Sequence, residues 1–486
     1  MAMILYNTMG REKEEFKPIS DKKVGMYACG PTVYFFPHIG NLRAYVAEDL
    51  LRRLLVYNGY QVKHVMNITD VGHLVSDANV GEDKLRLESE KENKSMVEIA
   101  NFYTAIFIRD LQRLNILMPD IMCKASMHIE DILNLINILD KKGYLYKASD
   151  GIYYDTSKFK DYGKLSGSSY EELNKSLKAG ARVERPEGIK SITDFVVWRF
   201  AKGTEKEMIW DSPYGVGFPG WHIECSAMSM KYLGNHFDIH CGGIDHIPVH
   251  HTNEIAQSEA ATGDKFVNYW FHVAFLSVNG QKMSKSLKNI YTLDDLINKG
   301  YNPLAYRYFL ITGHYRQGIN FTFEALENAS NTLQKIYTTA NSLFSIADSS
   351  KPADPAYIEK ILKLKSGFFE AMNNDLDTPT ALFYFHSIIN EGNRLLNSEK
   401  DPAHAALVLN AILEIDDAIL GIGIRTAALS SSEALDKEAE ALIQEREKLR
   451  KEKRFAEADK IRELLKEKYK IILEDTPEGL KWHKIY

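Results

Sequence analysis

The stretch Lys23-Val24-Gly25-Met26-Tyr27-Ala28-Cys29, ended by Gly30-Pro31-Thr32, decides the fold. An apolar, partly alternating run that breaks at Gly-Pro reads as a strand entering a turn. Just downstream, Leu42, Val46, Leu50, Leu51, Leu54 and Leu55 recur at helical spacing over 41–57, and Asn58-Gly59 stops the helix. A second apolar run follows from Gln61 to Ile68. Strand, helix and strand in so short a span form a βαβ unit. That predicts a parallel sheet with helices on its faces.

Outward from this unit, the periodicity predicts helices over 94–117 and 126–142 and short strands with turns over 143–165. The polar, Lys/Glu/Gly-rich segment 166–191 reads as an exposed loop within an inserted subdomain. A second apolar block runs from Thr193 to Ser286. After Asn289 the pattern is mainly helical, over 323–347, 356–373 and 403–422, and a Ser/Ala-rich linker covers Thr426 to Ser432. The last helix, Phe455 to Tyr469, carries an apolar stripe of Phe455, Ala458, Ile461, Leu464 and Leu465. Before it, Arg446 to Arg454 holds six bases and two acids, which gives one local basic patch.

Composition bounds the function classes. A chain of 486 residues with 45% hydrophobic and 26% charged residues is globular and of multidomain length, which excludes a disordered or collagen-like protein. Sixty Lys+Arg against 66 Asp+Glu leave a net charge of −6, so contact with nucleic acid must come from a local patch. There is no apolar run of about 18 residues and no basic-then-apolar start, so neither a spanning helix nor secretion is expected. The four cysteines, Cys29, Cys123, Cys225 and Cys241, form no CxxC pair and read as reduced thiols. Cys123 has no polar company and is assigned to the core.

Three constellations carry chemistry. His38-Ile39-Gly40-Asn41 lies where the first strand hands over to its helix; a helix start offers unpaired N–H groups to phosphate, and Gly40 permits close approach. Lys282-Met283-Ser284-Lys285-Ser286, opened by Gly280, suits a loop that clamps an anion whose charge grows in a transition state. Cys29, Cys225, His250 and Glu254 offer S, S, N and O donors for a tetrahedral Zn²⁺, with His250 and Glu254 one helical turn apart. Spacing alone leaves His222, His240, His246 and His251 open as rivals for the imidazole.

The first two motifs resemble the HIGH and KMSKS signatures of class I aminoacyl-tRNA synthetases, with Asn41 at the last position of the first. Together with Tyr27 to Asn41, Asn67-Ile68-Thr69-Asp70, Gly220 to Met228 and His240 to Glu254, the chain is similar over nearly its whole length to the cysteine-specific branch, the cysteinyl-tRNA synthetases. Two local departures are Val249-His250-His251-Thr252-Asn253-Glu254 for the family's PHHENE and Lys288 for a glycine.

The resemblance implies an α/β architecture with a Rossmann-type catalytic domain at 1–120 and 193–271 and a connective insertion at 121–192. It implies a stem-contact segment with the lysine loop at 272–322, a helical bundle at 323–425 and a small anticodon-binding domain at 426–486. It implies ATP-dependent ligation of L-cysteine to tRNA(Cys) through a cysteinyl-adenylate, in a cytoplasmic monomer. Catalytic roles fall on His38, Asn41, Lys282 and Lys285, and ATP contacts on His38, Gly40, Asn41, Asp245 and Lys285, with Mg²⁺ accompanying ATP. Gly30, Thr69 and Trp221 line the cysteine pocket. One Zn²⁺ per chain sits on Cys29, Cys225, His250 and Glu254 and reads the substrate thiol. The alternative is a ligase that passes the same adenylate to an amino sugar; the helical region and basic tail from about residue 321 onward favour tRNA.

Overall fold

The computed structural model describes residues 2–71, 84–180, 186–203, 207–284, 287, 289–398, 400–430, 437–452, 454–469, 471–476 and 479–484. Lys285, Ser286 and Lys288 lie outside the described residues. The chain divides into two compact units, one of residues 1–293, 313–322 and 371–378, the other of 294–312, 323–370 and 379–486.

In chain order the first unit contains β1 (Lys23–Ala28), α1 (Ile39–Tyr57), β2 (Gln61–Ile68), β3 (Ile121–Lys124), α2 (Trp221–Leu233), β4 (Phe237–Gly243), α3 (Thr252–Thr262) and β5 (Val267–Val273). The strands form a five-stranded sheet in the order β3-β2-β1-β4-β5, and every neighbouring pair is parallel. Met26, Tyr27, Ile239 and Cys241 are fully buried, as expected of strands packed on both faces. The order reverses between β1 and β4, whose carboxyl ends lie side by side where Ala28 pairs with Cys241. In doubly wound sheets ligands bind at this switch point.

The insertion folds as an antiparallel sheet of Leu145–Ala148, Gly151–Tyr154, Phe195–Phe200 and Gly217–Pro219 around Tyr154, Phe195 and Trp198. One expectation fails here: part of the supposed loop 166–191 is a helix, Tyr170–Gly180. Ser169 and Glu172 form a reciprocal capping box, Glu172 N donating to Ser169 Oγ at 3.2 Å and Ser169 N to the Glu172 carboxylate at 2.8 Å. The cap supplies the start that polar composition concealed.

The second unit is helical. Leu326, Leu333, Ile336, Phe385 and Ile412 are buried in its core. Asp416 is also buried there and accepts hydrogen bonds from the backbone of Ile422 and Ile424 at 2.6 Å each. These bonds support a helix at Ile424–Ser430, where composition suggested a linker. The tail pairs helices Lys437–Lys451 and Phe455–Tyr469 with a hairpin of Ile471–Thr476 and Gly479–Lys484. Its apolar stripe is narrower than expected: Ala458 and Leu465 are buried, whereas Phe455 is 55% and Leu464 42% exposed. The basic patch also loses a member, because Arg446 is only 1% exposed and pairs with Glu447 at 2.7 Å.

One buried group on α1 gives a prediction. Glu48 is 1% exposed, and neither carboxylate oxygen has a hydrogen-bond partner among the described residues. Burial raises its pKa from 4.5 to about 8. A raised carboxyl pKa favours the folded state at low pH, so this contribution is complete below 4.5 and is lost as pH rises through 8. Glu48→Gln should therefore match the native protein in thermal unfolding near pH 5. Its relative stability should then grow by on the order of 3 kcal/mol toward pH 8. A difference that stays flat with pH counts against the assignment.

Candidate active site

The carboxyl edge of β1 and β4 gathers a buried cluster of sulfur, imidazole and carboxylate. Cys29 follows β1; its sulfur lies 3.3 Å from His251 Nε2. His250 and His251 end a single π-helical turn, Ile247–His251, that runs directly into α3 and its Glu254. This continuity places His250 Nε2 3.0 Å from Glu254 Oε1, and His240 Nε2 on β4 meets the other oxygen at 2.9 Å. Donor atoms of Cys29, His250, His251 and Glu254 all lie within 4.8 Å of one another. Cys225, on α2, lies in the same buried cluster as Cys29, and the proximity of Cys29 and His250 lowers its pKa. The structure thus groups three of the expected ligands, Cys29, His250 and Glu254, with His251, and places Cys225 beside them in the same buried cluster.

The charges follow from the packing. The hydrogen bond from Cys29 and the charge of His250 outweigh burial and hold the Cys225 thiol down at about 6. Burial pushes the Cys29 thiol well up. Burial also opposes an imidazolium at His250, but the Glu254 and Cys225 anions more than offset it and hold its pKa at about 10. Glu254 ionises despite burial, near 2, because His240 and His250 face it. His251 is pushed well below the usual histidine range by burial and by the imidazoles around it.

Behind the cluster, His251 Nδ1 bonds His272 Nε2 at 2.8 Å, and His272 Nδ1 bonds Thr8 Oγ1 at 2.7 Å. His222 Nδ1 and His250 Nδ1 lie 2.9 Å apart. Gly242 makes this crowding feasible, since a Cβ there would stand 2.6 Å from His246 Nδ1 and 2.7 Å from His251 Cε1. His272 and Thr8 had escaped the sequence reading. The available signal was a lone histidine near the carboxyl end of an apolar strand, in register with Gly242.

The expected pocket residues border the same edge. Trp221 stacks on His250 with ring centroids 4.2 Å apart. Gly30 N donates to Asn67 Oδ1 at 2.8 Å, while Asn67 Nδ2 donates to Thr69 Oγ1 at 3.0 Å. A side chain at Gly30 would overlap the carbonyl oxygen of Asn67, so only glycine fits this approach.

His38 is the N-cap of α1. Its Nδ1 accepts from Asn41 N, and Asn41 Oδ1 accepts from His38 N, each at 3.2 Å. Burial lowers the His38 pKa and favours the neutral ring. With Nδ1 accepting, the single proton sits on Nε2. The cap therefore leaves His38 Nε2–H and Asn41 Nδ2–H as donors, without a partner among the described residues. Asp245 is exposed on the loop after β4.

The lysine loop touches this helix start. A Cβ on Gly40 would overlap the Met283 methyl, and Ile39 N donates to Tyr291 O at 2.8 Å. Lys282 lies on the short strand Gln281–Lys282, and Asn289 ties the turn by accepting from Ser284 N at 2.9 Å and donating to Lys282 O at 3.2 Å. The other lysine assigned to catalysis, Lys285, is outside the described residues.

Comparison with known proteins fits this geometry. The model of the "tRNA synthetases class I (C) catalytic domain" matches residues 15–331, and that of the DALR domain matches 367–425. The cysteine–tRNA ligase of Treponema denticola is 44% identical, covering 100% of both chains. That of Thermococcus onnurineus is 41% identical, again over 100% of each chain. Among solved structures, the methionyl-tRNA synthetase of Mycobacterium tuberculosis, in complex with methionyl-adenylate, shares the fold at a TM-score of 0.61 and 16% identity. That match covers 83% of this chain and 92% of that one. Identity of this order along the full length means that the chain belongs to the cysteine–tRNA ligase family.

Proposed function

We propose that this chain joins L-cysteine to tRNA(Cys) at the expense of ATP, through a cysteinyl-adenylate, and that the cluster around Cys29 reads the amino acid's sulfur. The observation carrying this reading is the buried group of Cys29, His250, His251 and Glu254 at the switch point of the sheet, with Cys225 packed in the same cluster as Cys29. Cysteine and serine differ by one atom, and an apolar pocket separates such near-isosteres by only about 1–3 kcal/mol. A cluster of this chemistry offers more.

The residues fit a zinc ion. Two sulfurs, an imidazole and a carboxylate are its ordinary donors. Buried Glu254 Oε1 makes no well-formed hydrogen bond among the described residues although His250 Nε2 stands 3.0 Å away, which leaves a lone pair open to an ion. Bound there, the ion would supply a soft centre that favours a thiolate over a neutral alcohol and eases ionisation of the thiol.

The chain's own groups account for the rest. Trp221 walls the pocket, and Gly30 and Thr69 border it. An oxygen of the cysteine carboxylate forms a bond to the α-phosphorus of ATP while the bond to pyrophosphate breaks. His38 Nε2–H, Asn41 Nδ2–H and the lysines of the 282–285 loop hold the phosphate oxygens, and Asp245 holds the nucleoside. The terminal ribose hydroxyl of the tRNA then attacks the carbonyl carbon, and AMP leaves. Catalysis is mostly positioning and charge stabilisation.

The test is charging of tRNA(Cys) with radiolabelled cysteine, alongside metal content by mass spectrometry. Robust charging with one zinc per chain is expected. Full activity without metal, or equal charging with serine, would defeat the reading. An amino-sugar acceptor gains no support from relatives that match the whole chain, and the product assay checks it directly.

A further inference from the structure

We propose that Arg11 is a phosphate-binding residue, gripping the backbone of the tRNA's 3′ strand at a cavity of the first unit. The inference deepens the reading above and rests on it. The cavity encloses about 280 Å³. Leu165, Ile244 and Ile247 form its apolar side, and Tyr6, Thr8 and His272 present polar edges. Two guanidiniums, Arg11 and Arg316, complete the lining, and among the described residues no carboxylate lines it. Such a mixture suits a nucleotide: apolar surface for the base or sugar, and cations for the phosphate.

The two arginines are not equivalent. Arg316 is already neutralised, donating Nε to Asp375 at 2.8 Å and lying over the Tyr6 ring at 4.5 Å. Arg11 is exposed and donates to the carbonyl of Ser166, a neutral acceptor. It forms no ion pair among the described residues. Its charge is therefore available to an incoming anion.

The backbone supports the assignment. Arg11 closes the hairpin turn between Ile4–Asn7 and Glu12–Glu15, its N–H donating to Asn7 O at 2.8 Å, with φ at +55°. Glycine or asparagine meets that conformation with less strain. Opposite it stands Gly167, also left-handed at φ +68°, where a Cβ would overlap the Arg11 guanidinium. One strained position, Arg11, and one glycine that leaves room for the guanidinium thus serve the placement of a single cationic side chain.

The lining, rather than nearness to Asp245, argues for the RNA over ATP as the source of the phosphate. Ile244 and Ile247 bracket Asp245 and His246, and His272 is joined through His251 to Cys29 by contacts of 2.8 and 3.3 Å. The cavity therefore neighbours the point where the aminoacyl group would be handed over. No lining residue comes from α1 or the lysine loop, which take the ATP phosphates in the proposed reaction.

The experiment compares the native protein with Arg11→Asn, which keeps a residue tolerant of positive φ, and Arg11→Lys, which keeps the charge. Equilibrium binding of a tRNA(Cys) transcript is measured across a KCl series. In Arg11→Asn, the slope of log K against log salt should become shallower by about 0.7, the share of one single-strand phosphate, and Arg11→Lys should restore it. The ratio of the charging rate to the cysteine-dependent ATP–pyrophosphate exchange rate should fall at least about tenfold in Arg11→Asn. An unchanged slope overturns the proposal. So does a raised KM for ATP with the slope intact, which would assign the guanidinium to ATP. Absence of cysteine-dependent exchange in the native protein would instead refute the functional reading, and the slope would still decide the role of Arg11.

Discussion

Cys225→Ser is expected to lower kcat/KM for cysteine in ATP–pyrophosphate exchange by more than about a hundredfold, beyond the usual cost of losing a residue that merely supports a metal site. The exchange of sulfur for oxygen barely alters volume, so the fold should tolerate it. What changes is chemistry. Cys225 is buried, and Cys29 and His250 lower its pKa, which favours the thiolate. A serine hydroxyl stays neutral there and is a poor ligand for a soft ion. Zinc content should fall below one per chain in parallel, and serine should compete better against cysteine. Native discrimination with full metal content would show that the sulfur at 225 is dispensable.

The second large effect concerns stability. Asp375 is fully buried and accepts three hydrogen bonds, from Tyr6 N at 2.9 Å, Tyr315 Oη at 2.6 Å and Arg316 Nε at 2.8 Å, and Arg316 Nη2 pairs with it at 2.6 Å. Asp375→Ala strands three donor groups, one of them cationic, and should destabilise the first unit by roughly 3–5 kcal/mol. Asp375 and Leu376 also lie at φ of +65° and +51°. Asparagine tolerates that region, so Asp375→Asn keeps the backbone preference and removes only the charge. It should recover part of the loss. Thermal unfolding checks both variants, and an alanine variant within about 1 kcal/mol of the native protein would mean that these bonds are replaced by water.

The βαβ unit was legible because burial on both faces demands continuous apolar runs, and because Gly30-Pro31 and Asn58-Gly59 punctuate them. The helix Tyr170–Gly180 was also written in the chain, as Ser169 and Glu172 three positions apart, but polar composition outweighed the cap in the reading. The exposed Phe455 and Leu464 mislead for the opposite reason. An apolar stripe shows which residues can be buried, and the partner's width shows which are. His272 and Thr8 lay outside the sequence argument because each stands alone in its segment. Only the pairing of β5 with β4 brings His272 behind His251.

Local chemistry, then, is determined by sequence alone: which residues can ligate, cap a helix or clamp phosphate, since donor type and short spacing are covalent facts. Spacing likewise allows His250 and Glu254 to meet, because a helical turn separates them. The tertiary structure decided the company those groups keep. Cys29 and Cys225 lie nearly 200 positions apart and touch only because strand order reverses beside β1, and the charge on each sulfur follows from neighbours that no linear pattern specifies.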